Sequence, residues 1–403
     1  MLERQNVLDA RERVAETARH TPLEYSHSFS TMAGADVHLK LETFQRTGAF
    51  KIRGATNRIA ELSPSEREAG VVTASAGNHA QGVALAATRA GVDAVVVMPE
   101  HAPNAKVAAT RSYGAQVVLH GADYDEAQAR AHEIEREAGR TYVHAFDDEA
   151  VMAGQGTIGL EILDDLPDVE TVVVPIGGGG LISGIATALE GRDPDVRVVG
   201  VQAEGASTVA PSLRKGEVQA IEGVDTIADG IATRSVGERT FPIIEARVDE
   251  VVTVSDSAIA VAITLALERA KTLVEGAGAV SLAALLEGRF DYDAGETIVP
   301  VLCGGNIDLN TLTTVVLRGL VETGRYLRVR TELPDEPGAL EALIGVIAAQ
   351  RANIYAIQHD RTSRDIGMTA AEVALDLETK GPEHVAALLD ALDEHGYEVD
   401  VLA

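Results

Sequence analysis

The chain of 403 residues holds one cysteine, Cys303, no tryptophan, and six lysines (Lys40, Lys51, Lys106, Lys215, Lys271, Lys380) against twenty-eight arginines. A single cysteine excludes a disulfide framework and fits a reducing, cytoplasmic setting. Aromatic residues make up only 3% of a chain that is 46% hydrophobic, so the core must be aliphatic. Basic clusters are missing as well. A net charge of -28 argues against a nucleic-acid surface, because binding phosphates needs gathered Lys and Arg. The acid is spread along the chain, and a Lys-poor acidic surface suits a cytoplasm of very high salt, where self-repulsion is screened. The N-terminus carries Glu3, Arg4, Asp9, Arg11 and Glu12 and no apolar signal core. The longest uncharged run, Thr171 to Leu189, is broken by Pro175 and four glycines, which excludes a membrane helix and fits a strand, a loop and a helix.

With lysine so scarce, one of the six stands out. Thr47-Gly48-Ala49-Phe50-Lys51 follows the alternating run Val37 to Leu41, which reads as a strand. It precedes Ile52, Ala55, Ile59 and Leu62, which read as one face of a helix. Lys51 is thus expected in the first turn of a helix, where the dipole disfavours a protonated amine. Only a neutral amine attacks a carbonyl, so this placement suits Schiff-base chemistry. Phe50 offers an aromatic face for a planar cofactor.

The first twenty residues read as a polar helix packed on the outside. From Val71 onward, short aliphatic runs alternate with helical stretches as far as Gln202, the pattern of a parallel sheet covered on both faces. Such sheets bind ligands at the carboxyl ends of their strands. Three loops there are unusual. Ser75-Ala76-Gly77-Asn78-His79 opens a helix with small residues, as an anion site requires. Gly177-Gly178-Gly179-Gly180-Leu181 is costly in backbone entropy unless its N–H groups wrap a phosphate. Cys303-Gly304-Gly305-Asn306 places the lone cysteine at the ligand edge of the sheet.

Together with Gly154-Gln155-Gly156-Thr157, these motifs closely resemble the threonine dehydratase (threonine ammonia-lyase) family over residues 5 to 322. The resemblance implies pyridoxal 5'-phosphate on the tryptophan-synthase-β fold: fold type II, two open α/β subdomains with mostly parallel sheets. It implies Lys51 as the Schiff-base lysine, Gly177 to Leu181 as the phosphate cradle, and Asn78 at the ring hydroxyl. It places Cys303 at the pyridine nitrogen, where the family more often has Ser or Thr. Ser75, Ala76, Gly77, Asn78, His79 and Phe146 fall at the substrate. The expected reaction converts L-threonine, and L-serine beside it, into a 2-oxo acid and ammonia. Serine racemase shares most motifs. The resembling racemases have a serine where this chain has Ala76, an asparagine where it has Phe146, and an acidic metal ligand where it has Ala210, so no divalent metal is expected; a monovalent cation near Glu204 is left open. A non-catalytic amino-acid sensor is the alternative of another class.

After Thr323-Gly324 the pattern changes to strand, helix, two strands, helix and strand, a ferredoxin-like βαββαβ order. Leu333-Pro334-Asp335-Glu336-Pro337-Gly338-Ala339-Leu340 resembles the entry of ACT domains, which bind amino acids at paired interfaces. That resemblance implies Gly338 and Asn353 as effector contacts. The expected organisation is a catalytic domain, 1–323, and a regulatory domain, 325–403, in a homo-oligomer (a dimer or tetramer) whose partners are small amino acids rather than nucleic acid or membrane.

Overall fold

The computed structural model describes residues 1–191, 195–362 and 367–403. They form two compact units, Met1–Asp308 and Leu309–Ala403. The helix Leu309–Glu322, read from the sequence as the closing helix of the first domain, groups with the second.

The first unit is built on two open sheets. The larger orders its strands Leu23–Tyr25, Asp36–Leu41, Thr297–Leu302, Thr171–Pro175, Arg197–Ala203 and Glu250–Val254. All neighbours in it are parallel except the first pair. The smaller orders Gln116–Leu119, Ala94–Met98, Val71–Ala74 and Thr141–Tyr142, all parallel. Strands such as Val71–Ala74 and Thr171–Pro175 are buried along their whole length, which is why they read as unbroken Val runs rather than as alternation. The fold class is therefore the α/β pair of mostly parallel sheets that the motifs implied.

Several elements sit where the sequence pattern did not put them. The N-terminal helix, Arg4–Val14, is shorter than the expected first twenty residues, and its Val7 and Ala10 are fully buried against the helices Glu149–Asp165 and Gly180–Leu189. Leu23–Tyr25 is a three-residue antiparallel edge strand, too short to show a period. The motif Gly154-Gln155-Gly156-Thr157 lies inside the helix Glu149–Asp165, which starts earlier than the Gly156 expected from the pattern. A side chain at Gly154 would lie 2.6 Å from the Arg53 carbonyl, and one at Gly156 would lie 2.5 Å from the Gly184 carbonyl. These glycines let three helices cross at backbone contact. Gln155 seals one crossing by accepting the Gly54 N–H at 3.1 Å.

The second unit is an antiparallel sheet ordered Asn353–Asp360, Ala370–Glu378, Tyr326–Pro334 and Val399–Val401. The helices Ala339–Ala349 and Pro382–Glu394 complete the βαββαβ order. Leu343, Ile347, Leu388 and Leu392 bury its helices on Val329, Val373 and Leu375. Among the described residues no helix is long and apolar enough to cross a membrane.

Candidate active site

Lys51 opens the helix Lys51–Ala60, as its spacing predicted. The loop before it is stitched to the loop after Thr297–Leu302. Phe50 N–H donates to the Cys303 carbonyl at 3.1 Å, Gly305 N–H donates to the Gly48 carbonyl at 2.9 Å, and Ala49 bridges Gly304. Lys51 Nζ donates to the Ala145 carbonyl at 2.8 Å and lies 5.1 Å from the centre of the Phe50 ring. Its amine is pushed down to about 8, foremost by burial, while the nearby Cys303 and Glu275 pull the other way. Desolvation, rather than the helix end invoked from the sequence, is the main cause. A testable consequence follows for the protein without bound cofactor. Acylation of Lys51, followed by mass mapping, should rise through a midpoint near pH 8 as the neutral amine appears. A midpoint at the ordinary value of 10.5 would contradict the burial.

The glycine loop leaves the carboxyl end of Thr171–Pro175, and Gly180 starts a fully buried helix. A Cβ at Gly177 would fall 2.8 Å from Ile231, and one at Gly178 would run into the Phe146 ring. Gly179 takes φ +92°, a conformation for glycine. The run thus excludes side chains at each position, because Ile231, Phe146, Thr240 and Ile244 pack directly against it, and it leads straight into a helix start. Its outer side is braced at the Gly178 carbonyl, which accepts from Thr240 Oγ1 at 2.7 Å and Gly237 N at 3.1 Å.

Asn78 is the first residue of the helix Asn78–Ala90, after the strand Val71–Ala74. Ser75, Ala76, Gly77 and Asn78 all keep part of their surface open. Ser75 Oγ accepts the Gly77 N–H at 3.2 Å, which shapes the turn and leaves the first N–H groups of the helix unused by it. His79 departs from this set. It is buried, shares a 2.9 Å hydrogen bond between Nε2 and the Val143 carbonyl, and is held neutral, its basicity pushed down to about 3 by burial and by Lys51. Its ring belongs to the packing behind the loop.

Cys303 ends its strand fully enclosed, with Sγ donating to the Ala277 carbonyl at 3.5 Å. Burial, and next the Glu275 charge, hold it well above the ordinary thiol value, so it is a neutral donor. Two groups escaped sequence reasoning. Glu275, at the cap of the helix Gly276–Leu286, accepts from Asn78 Nδ2 at 2.6 Å. Asn306, quoted only as part of a motif, donates to Asn78 Oδ1 at 2.8 Å and to the Thr47 carbonyl at 2.7 Å. The one local signal for Glu275 was a carboxylate set directly before Gly-Ala-Gly and an apolar helix. Gly338 and Asn353 lie in the other unit. Gly338 caps Ala339–Ala349 at φ +96°, and Asn353 Nδ2 donates to Glu378 at 3.2 Å.

A desolvated lysine, a bare glycine cradle at a helix start and a neutral strand-end thiol fit a phosphorylated aromatic aldehyde. The family model for pyridoxal-phosphate dependent enzymes matches residues 14–304, and the chain belongs to that family. More narrowly, it is 51% identical to the L-threonine ammonia-lyase of Geobacter sulfurreducens over 396 residues, covering 98% of each chain. Among solved structures, it is similar to threonine deaminase isoform 2 of Solanum lycopersicum, with a TM-score of 0.75 and 40% identity over 78% of this chain and 92% of that one. It is also similar to maize serine racemase, with a TM-score of 0.74 and 36% identity over 80% and 98%.

Proposed function

We propose that the protein is an L-threonine ammonia-lyase, converting threonine to 2-oxobutyrate and ammonia and serine to pyruvate and ammonia. The observation that carries this reading is Lys51, a buried amine lowered to about 8, held at the Ala145 carbonyl beside the Cys303 loop. The full-length relatedness to an L-threonine ammonia-lyase supports the same reading.

Pyridoxal phosphate supplies a carbonyl that condenses with the substrate amine and a conjugated ring that accepts the electron pair left at Cα. The chain does the rest. Gly177 to Leu181 hold the phosphate on helix-start N–H groups, and Asn78 meets the ring hydroxyl. Phe50 borders the ring and Phe146 the substrate. Backbone N–H groups of Ala76, Asn78 and His79 hold the substrate carboxylate, since those of Ser75 and Gly77 are taken by the Val97 carbonyl and by Ser75 Oγ. Lys51, anchored near the Ala145 carbonyl, takes the Cα proton, for which an amine near neutrality is well matched. Elimination of the β-hydroxyl loses water, and hydrolysis of the released enamine regains it, giving the 2-oxo acid and ammonia. Cys303, a neutral thiol, offers no counter-charge to a protonated pyridine nitrogen, so the electron sink is weak and prompt β-elimination is favoured. Ala76 has no proton to return to the opposite face, which disfavours racemisation.

In molar potassium chloride, 2-oxo acid should appear from L-threonine faster than from L-serine, with no D-serine formed. An inert protein, or one that chiefly interconverts serine enantiomers, would overturn the assignment. The same assay in dilute buffer should show loss of activity, as expected for a charge of -28 adapted to high salt.

The βαββαβ unit is read as an ACT domain in a cytoplasmic homo-oligomer, with regulation in 325–403 and catalysis in 1–323. Gly338, at a helix start, and Asn353 are its proposed effector contacts. Isoleucine or valine should change the rate of the intact enzyme through a coupling of typically about 1–3 kcal/mol. That would fit a role in isoleucine synthesis, whereas no response would favour threonine catabolism. Removing residues 325–403 should abolish the response and leave turnover. Steady-state rates with and without effector check this, and a truncated chain that still responds would count against it.

A further inference from the structure

A hydrogen-bonded chain crosses the site and ends in a group that no motif singled out. Asn306 Nδ2 donates to the Thr47 carbonyl at 2.7 Å and to Asn78 Oδ1 at 2.8 Å, and Asn78 Nδ2 donates to Glu275 Oε1 at 2.6 Å. An asparagine amide has no inherent direction, since turning it over exchanges a donor for an acceptor. Here both ends are fixed: the Thr47 backbone carbonyl only accepts, and Glu275 presents Oε1 as the acceptor to Asn78 Nδ2.

We propose that Glu275 is a positioning residue that locks the Asn78 amide with its nitrogen, and so its second N–H, turned toward the ring oxygen of the cofactor. This rests on the pyridoxal phosphate reading above. A donor at that oxygen favours its ionised form, whereas a reversed amide would present a carbonyl and favour the protonated form. The surroundings are built to admit the carboxylate. Glu275 N–H donates to the Gly304 carbonyl at 3.0 Å, and a side chain at Gly304 would run into the Glu275 carboxyl group. The carboxylate also carries a cost, which a purely structural cap would not need. Burial pushes its acid up to about 7, against the bond from Asn78 and the charges of Lys106 and Lys51.

The test compares the absorption spectrum and steady-state kinetics of holoenzyme carrying Glu275→Gln or Glu275→Leu. Glutamine can turn its carbonyl to Asn78 and preserve the direction of the chain. Leucine keeps the bulk and offers no acceptor. Glu275→Leu should shift the visible band of the bound cofactor and lower kcat by about ten- to a hundredfold with little change in KM, the usual size for a supporting shell. Glu275→Gln should keep the band and most of kcat. Should the leucine variant fail to fold, Asn78→Asp is the second probe. It sets an acceptor against an acceptor and should shift the band in the same direction. A leucine variant with the wild-type spectrum, or a glutamine variant as impaired as leucine, would overturn the proposal. Wild-type protein with no visible band would instead remove the cofactor reading and this inference with it.

Discussion

Lys51→Ala is expected to lower 2-oxobutyrate formation at least about a thousandfold, the upper range for removing a positioned proton acceptor. The loss has two sources. On the proposed mechanism the variant would lack both the amine that holds the cofactor covalently and the base at Cα. Two of the other lysines are committed elsewhere. Lys40 is fully buried and committed to Glu161 at 2.7 Å, and Lys271 donates to its own helix end at Glu268. The substitution should not unfold the protein, because Lys51 makes a single side-chain hydrogen bond, to Ala145, and alanine suits a first helical turn. The measurement is turnover of threonine at saturating pyridoxal phosphate, with the melting temperature as control. Turnover within tenfold of wild type would remove Lys51 from the mechanism.

The second large effect is on stability. Arg53, two residues further along the same helix, is fully buried between Glu42 and Glu161. Its guanidinium donates to Glu42 at 2.8 and 2.9 Å and to Glu161 at 2.6 and 2.9 Å. It also reaches Thr157 Oγ1 and the Arg19 carbonyl, so the whole fork is used. Lys40 completes the cluster at Glu161 and the Thr21 carbonyl, with Asp165 at 4.0 Å on its edge. The cluster ties the Lys51 helix to the strand Asp36–Leu41 and to the helix Glu149–Asp165. Arg53→Leu leaves Glu42 buried beside no counter-charge, and should cost about 3–5 kcal/mol. Arg53→Lys keeps the charge and loses the fork, so it should fall between. Denaturant unfolding in molar salt is the measurement, and little dependence on salt is expected of a pair sealed from solvent. A leucine variant within about 1 kcal/mol of wild type would show that the cluster is neutral in net effect.

The contrast between these two residues shows what the sequence disclosed. Lys51 was legible because its signal is local: a strand, a small-residue turn and a helical period within a few residues. The glycine run and the Cys303 loop were legible for the same reason, each lying at the end of a Val-rich strand. Arg53 was not. Beside Ile52, Ala55 and Ile59 it falls on the polar side of the helical pattern, yet the helix buries nearly all round, and the partners that neutralise Arg53 come from other elements. Glu275 was hidden by distance, since its partner Asn78 lies 197 residues away in sequence. His79 misled in the other direction. Its place in a ligand-like loop suggested a side chain at the substrate, whereas its ring is buried against the Val143 carbonyl and only its backbone N–H stays in the proposed site. Ion clusters and amide networks are tertiary, and a pattern of residue types carries little of them. The direction of the Lys51 shift was read correctly from the sequence, but its main cause, burial, emerged only from the packing.

The most direct measurement is borohydride reduction of the purified enzyme followed by peptide mass mapping. A pyridoxyl adduct on the peptide containing Lys51, with the visible absorbance lost on reduction, is the predicted result. An adduct on any of the other five lysines, or none at all, would contradict it.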